Sequence, residues 1–204
     1  MKTGLLSAIG CVALGLASAV YSEEAVVGQP APDFTLMDTM GQAHTLAAHK
    51  GKFVVLEWSN YDCPFVKKHY GSGNMQRLQK TYTEKGVVWL TINSSAPGKQ
   101  GNYPPEKWNE MIKEKGSAAT AVLLDPDGKV GKTFGAKTTP SMFVINPEGV
   151  LIYKGAIDDK PSFKPETLEG AKNYVEAALD AAMAGKPVET PSTQSYGCSV
   201  KYAD

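Results

Sequence analysis

Apolar residues fall along this chain in two rhythms. Short, nearly continuous runs of β-branched and aromatic residues alternate with stretches in which apolar positions recur every three or four residues. Residues 33–37 and 43–46 read as two short strands around a polar turn, an N-terminal β-hairpin. Residues 53–58 and 86–93 are apolar towards both faces, as parallel strands covered on both sides must be, and 120–124 is a third run of this kind. After Pro64, which suits a first-turn position, Val66 and Tyr70 keep helical spacing. A second helix is expected from Met75, capped by Asn74 or Ser72. Pro104 and Pro105 open another, which runs through Lys115 and stops at Gly116. Residues 141–145 and 150–153 form a hairpin around Asn146-Pro147-Glu148-Gly149. The longest helix is expected over 164–184, with Leu168, Ala171, Val175, Ala178 and Leu179 on one face.

The order is therefore strand, helix, strand, helix, strand, hairpin, helix. Parallel strands need crossover helices and the final hairpin pairs antiparallel. The expectation is an α/β fold, a mixed central sheet with helices on both faces. Residues 27–185 make this domain. Residues 186–204, rich in Pro, Ser and Thr and without a period, read as a flexible or loosely docked tail that carries Cys198.

The first residues follow a different logic. Lys2, the apolar run 4–17 and the small-x-small triplet Ala17-Ser18-Ala19 make residues 1–19 a signal peptide, cut after Ala19. The run falls short of the about 20 apolar residues of a membrane span. A periplasmic or secreted chain without stable membrane insertion is expected. An uncleaved anchor and a lipoprotein acylated at Cys11 are the alternatives; the lipoprotein fits less well, because Ala8 stands where a Leu is usual and the apolar run continues past Cys11.

Charge narrows the partners. Lys plus Arg and Asp plus Glu number 21 each, so no net field draws the chain to nucleic acid. Removal of the signal peptide leaves two cysteines, Cys63 and Cys198. In an oxidising compartment they form a candidate redox couple.

Cys63 falls between a strand and a helix. Free amides and partial positive charge at a helix N-terminus stabilise a thiolate, the species that attacks, and Lys67 and Lys68 would add to that field. The alternative is a buried structural cysteine. Thr139-Pro140, just before a strand, is the second feature. Proline fits poorly in a central strand, and a cis bond at its start resolves the geometry.

The segment Trp58-Ser59-Asn60-Tyr61-Asp62-Cys63-Pro64-Phe65-Val66, followed by Thr139-Pro140, resembles the thioredoxin-like superfamily. Within it the chain is similar to the redoxin branch (alkyl hydroperoxide reductase/thiol-specific antioxidant), and to peroxiredoxin-like proteins with a single Cys-Pro-Phe-Val motif. The resemblance spans roughly residues 27–156 and implies a thioredoxin fold. It also implies a cis Thr139-Pro140 bond facing Cys63, with the Thr139 backbone free to pair with an extended substrate.

Two departures qualify it. Val66 replaces the second cysteine of a Cys-x-x-Cys pair, so no local thiol can resolve a mixed disulfide. Peroxiredoxins place Pro and Thr seven and three residues before the peroxide-reducing cysteine, where this chain has Leu56 and Asn60.

Cys198 is the candidate resolving thiol. The 13 residues 185–197 span roughly 20 Å as a flexible chain, comparable with a domain radius of gyration of about 16 Å. Tyr196 and Tyr202, aromatic residues on either side of Gly197-Cys198, suggest docking on a surface. A free tail thiol and a disulfide to another chain are the alternatives.

Glu57, in a covered strand six residues before Cys63, is a candidate proton relay because desolvation raises a carboxyl pKa. A carboxylate that reaches an open edge or pairs with a lysine is the other reading. His44, His49 and His69 read as surface or satisfied residues. Copper carriers of this fold use two nearby cysteines, and the single local cysteine argues against a metal. No cofactor is expected.

The resulting expectation is a thiol-disulfide oxidoreductase acting on protein disulfides or thiols, or on a thiol reductant. A thiol-dependent, peroxiredoxin-like antioxidant that consumes peroxide and a non-catalytic binding module are the alternatives.

Overall fold

The apolar runs become the centre of a seven-stranded mixed sheet in the computed structural model, which describes residues 24–204. The expected signal peptide, with Cys11, lies outside the described residues. β1 (Thr35–Asp38) and β2 (Ala43–Thr45) form the N-terminal hairpin. β3 (Val54–Trp58), β4 (Val88–Asn93) and β5 (Ala121–Leu124) run parallel, and β1 closes antiparallel on β5. After the two-residue β6 (Thr138–Thr139), β7 (Ser141–Ile145) and β8 (Leu151–Gly155) extend the other edge antiparallel. The spatial order is β2-β1-β5-β4-β3-β7-β8.

Strand alternation sorts the core into two layers. Val55, Trp89, Val144 and Tyr153 face one side. There they meet α1 (Pro64–Gly71), α2 (Asn74–Thr83), α3 (Pro105–Lys115) and α5 (Tyr174–Met183), which contribute Val66, Leu78, Trp108 and Leu179. Leu56, Trp58, Leu90 and Phe143 face the other side, against Phe34 and the Phe134 of α4 (Lys129–Phe134). Both faces of β3 are thus filled, and all five of its residues are buried. This is the thioredoxin fold with its N-terminal hairpin.

Two expectations are corrected and one helix is added. The single long helix over 164–184 is two pieces, a 3-10 turn at Pro165–Leu168 and then α5. The physical reason is Asn173, whose side chain accepts from the Glu176 amide at 2.9 Å and starts a new helix there. Leu168 and Ala171 lie outside it. Gly73, without a side-chain bond, takes the cap of α2 expected from Asn74 or Ser72. α4 has six residues, too few to display a period.

The C-terminal segment is docked along its length. Thr193 donates to the Lys154 carbonyl at 3.1 Å, Val200 to Lys137 at 3.0 Å, and the Ala96 amide to Lys201 at 2.8 Å. Between these points β9 (Cys198–Ser199) pairs antiparallel with β6. Among the described residues no helix is long and apolar enough to cross a membrane.

Candidate active site

β3 delivers the chain to the site. Past Trp58, Cys63 donates its amide to the Asn60 carbonyl at 2.9 Å and becomes the N-cap residue of α1, with Pro64 opening the helix. The Cys63 side chain is buried, with Tyr61, Val66 and Met142 in the same cluster. Its Sγ lies 3.1 Å from the Thr139 carbonyl oxygen and 2.7 Å from the Sγ of Cys198. The Thr139-Pro140 peptide bond is cis. Both cysteines are free thiols.

The two sulfurs are electrically unequal. Burial pushes the Cys63 thiol up, but hydrogen bonds from Cys198 and the Val66 amide outweigh it and hold Cys63 below the ordinary thiol value. Cys198 is pushed up to about 11, first by burial and then by Cys63 beside it. A proton shared by the pair therefore favours Cys198 and leaves thiolate character on Cys63. Lys67 is exposed. Lys68, expected to add to the field at Cys63, instead directs its ammonium to the Lys160 carbonyl at 3.0 Å and to Asp158 at 3.5 Å.

The Thr139 backbone is already paired. β9 lies along β6 with Cys198 opposite Thr139 and Ser199 opposite Thr138. The approach requires a glycine next to the cysteine. Gly197 has a φ of +139°, and a Cβ there would sit 2.0 Å from the Thr139 oxygen.

Two residues before Cys198, the ring of Tyr196 enters a buried polar pocket. Its hydroxyl donates to Asp158, and the Lys68 ammonium sits 5.6 Å above its ring centroid. His69 Nε2 is 3.5 Å from the same hydroxyl, and Phe65 meets the ring edge-on at 5.8 Å. His69, held by burial down to about 4, stays neutral at ordinary pH. Lys68, Asp158 and His69 were not legible as a group, because they converge from α1 and the loop after β8. The only sequence signal was the aromatic-Gly-Cys pattern at 196–198.

Glu57 does not join the sulfurs. It is fully buried, and its carboxylate accepts from Tyr70 at 2.9 Å, Gln79 at 3.0 Å, Trp89 at 2.9 Å and Thr91 at 3.1 Å. Burial raises its pKa despite these donors. None of its hydrogen bonds goes to Cys63 or Cys198. Among the histidines, His44 pairs with Asp38 at 2.8 Å in the N-terminal hairpin.

Known proteins resemble this chain in both sequence and fold. Residues 27–154 match the AhpC/TSA family. The thiol-disulfide oxidoreductase ResA of Bacillus subtilis is 31% identical over 156 residues, 74% of this chain and 81% of that protein. The thiol:disulfide interchange protein DsbE of Escherichia coli is 27% identical over 151 residues, 72% and 74% of the two chains. Among solved structures, an uncharacterized conserved protein from Geobacillus kaustophilus superposes with a TM-score of 0.76 at 30% identity, covering 93% of this chain and 98% of its own. A putative DsbE from Chlorobium tepidum, at 22% identity and a TM-score of 0.57, covers 78% of this chain and 99% of its own and shares the fold.

Proposed function

The chain belongs to the AhpC/TSA family, and we propose that it is an exported thiol-disulfide oxidoreductase whose redox couple is Cys63 and Cys198. The observation that carries this reading is the 2.7 Å approach of the two sulfurs at the mouth of α1. The relatives named as thiol-disulfide oxidoreductases support it.

The Cys63 thiolate attacks one sulfur of a substrate disulfide. A Cys63–substrate disulfide forms, and the other substrate sulfur leaves as a thiolate that takes a proton. The Cys198 thiol gives up its proton and attacks the Cys63 sulfur. The remaining substrate sulfur leaves as a thiol, and a Cys63–Cys198 disulfide is left. Two electrons have passed from the cysteine pair to the substrate. Two equivalents of an external thiol, or one dithiol, restore the pair by exchange and leave as a disulfide, and the same steps in reverse oxidise a dithiol. Thr139 and Pro140 shape the groove in which the substrate sulfur meets Cys63. Glu57, locked by four donors, supports the strand behind the site.

Export rests on the N-terminal pattern 1–19, and the mass of the chain recovered outside the cytoplasm tests it. Turnover of a protein disulfide by wild type, Cys63→Ser and Cys198→Ser tests the chemistry. Loss of activity in the first variant, and a trapped mixed disulfide at Cys63 in the second, are expected. Unchanged turnover in Cys63→Ser overturns the reading of Cys63 as the attacking sulfur, and no turnover by wild type leaves a non-catalytic binding module.

The family match favours one second reading, a thiol-dependent peroxidase. Cys63 would take one oxygen from a peroxide to become a sulfenic acid while the other oxygen leaves as water or an alcohol, and Cys198 would condense with the sulfenic acid, releasing water. Leu56 and Asn60, at the positions where peroxiredoxins have Pro and Thr, weaken it. Peroxide consumption with a thiol reductant, compared with disulfide turnover, separates the two.

A further inference from the structure

The groove beside the cis-proline has a resident occupant. β9 pairs with β6 in the place where an extended polypeptide substrate would add its strand, and it sets a cysteine opposite Thr139. Cys63 is fully covered in this arrangement. We propose that the C-terminal strap is a built-in substrate mimic, latched by Tyr196, which an extended polypeptide must displace before its own disulfide can reach Cys63. This rests on the reading of Cys63 as the attacking sulfur.

The body of the domain is built to receive the strap at three points. At the first, Thr193 Oγ1 accepts from the Ala156 amide at 2.9 Å and meets the Tyr153 hydroxyl at 2.7 Å. At the last, Tyr202 donates to the Ala136 carbonyl at 2.7 Å, in a space left open by Gly131, where a Cβ would stand 2.3 Å from the phenolic oxygen. The middle point is the Tyr196 socket, the anchor nearest the sulfurs. One wall of it is α1, the helix that also holds Cys63 at its mouth.

The chemistry of that socket makes it a latch and not a permanent seam. The Lys68 and Asp158 side chains are almost fully buried beneath the phenol, 3.5 Å apart. An apolar socket would resist opening, because lifting the ring would expose hydrocarbon to water. A charged pair gains water as the ring leaves, which offsets part of the lost contact. The ribbon itself is only two residues long on each strand, so it adds few backbone bonds at the sulfurs to those that hold the strap on either side. Cys198 stays tethered close by after release, and returns at high local concentration to resolve the mixed disulfide.

Tyr196 is therefore a positioning residue for substrate entry. The test uses the full mature chain with Cys198→Ser, so that a mixed disulfide at Cys63 is trapped. The probe is a heptapeptide with the sequence of residues 195–201, whose cysteine carries an activated disulfide. Trapping at subsaturating peptide is compared among the parent, Tyr196→Phe and Tyr196→Ala. Circular dichroism and an unchanged thermal midpoint of the core establish folding.

The expected result is at least about a tenfold faster trapping in Tyr196→Ala, with Tyr196→Phe between, through a lower apparent KM and an unchanged limiting rate. Equal trapping rates in all three chains overturn the latch while leaving Cys63 as the nucleophile. Absence of any adduct at Cys63 in all three overturns the function on which the latch rests. In chains that keep Cys198, the same substitution is expected to slow resolution, a readout that general destabilisation of the core would not pair with faster entry.

Discussion

The Sγ atoms of Cys63 and Cys198 lie 2.7 Å apart although 135 residues separate them in the chain. A disulfide needs about 2.05 Å, so only a small adjustment stands between this pair and a bond. Two separate devices bring the atoms together. The strand-to-helix turn places one sulfur, and a strap crossing the face of the domain returns the other.

Gly197→Ala tests the close approach of the strap. A Cβ would meet the Thr139 oxygen at 2.0 Å, and the backbone φ of +139° is strained for any other residue. The substitution is expected to weaken docking by about 1–3 kcal/mol. Formation of the Cys63–Cys198 disulfide should slow by roughly tenfold or more, while the unfolding midpoint of the sheet core changes little. Alkylation of reduced Cys63, followed by peptide mass analysis, should become faster.

Thiolate formation provides a pH test. Cys198 is the strongest of the groups that hold the Cys63 pKa down. Cys198→Ala removes that donor and leaves Tyr196 and Tyr202 to keep the strap in place. The midpoint of thiolate absorbance against pH should therefore move upward from its wild-type position below the ordinary thiol value. A midpoint that stays put or falls would mean that the helix amides alone set it.

Glu57 offers a stability test with a definite sign. Its pKa is raised by burial, so folding favours the neutral carboxyl. That contribution is complete below the ordinary carboxyl range and is lost as pH rises through the raised folded value. Glu57→Gln can still accept from Gln79, Trp89 and Thr91 through its oxygen and donate to Tyr70. Denaturant unfolding should show it at least as stable as wild type near neutral pH, with the difference fading in acid. Glu57→Ala strands those buried donors and should cost about 3 kcal/mol or more.

The Tyr196 socket predicts an asymmetry between its two charges and its ring. Lys68→Met leaves Asp158 buried without its counter-charge and should destabilise the protein by about 3–5 kcal/mol. Tyr196→Phe removes one hydrogen bond to a charged group, about 1.5–3 kcal/mol. Its effect should appear as proteolytic nicking of residues 186–197 before global unfolding.

Much of this architecture was legible before any coordinates. The runs at 53–58 and 86–93 declared covered parallel strands because apolar residues dominate both faces of each run. Glu57, polar like Thr91 and Asn93 in the neighbouring strand, still carried its meaning, a carboxyl buried on the sheet. The turn at Cys63-Pro64 and the Thr139-Pro140 pair were readable because proline restricts the backbone so narrowly. What escaped was of two kinds. α4 and the division before α5 are too short or too locally capped to leave a period, and Asn173 outweighs the apolar spacing that ran through it. The Lys68–Asp158–Tyr196 socket depends on three distant segments meeting, which no local pattern encodes. The strap sits between these cases. Its composition argued for a loose tail, whereas Tyr196, Gly197 and Tyr202 already hinted at docking.

The central claim is that Cys63 and Cys198 of one chain exchange electrons as a pair. Redox titration of the mature monomer against a dithiol buffer, read by non-reducing peptide mass mapping, tests it most directly. A single two-electron transition that joins the peptides of Cys63 and Cys198 within one molecule is the predicted result. Two thiols that stay free across the whole range, or cross-links that form only between chains, would contradict it.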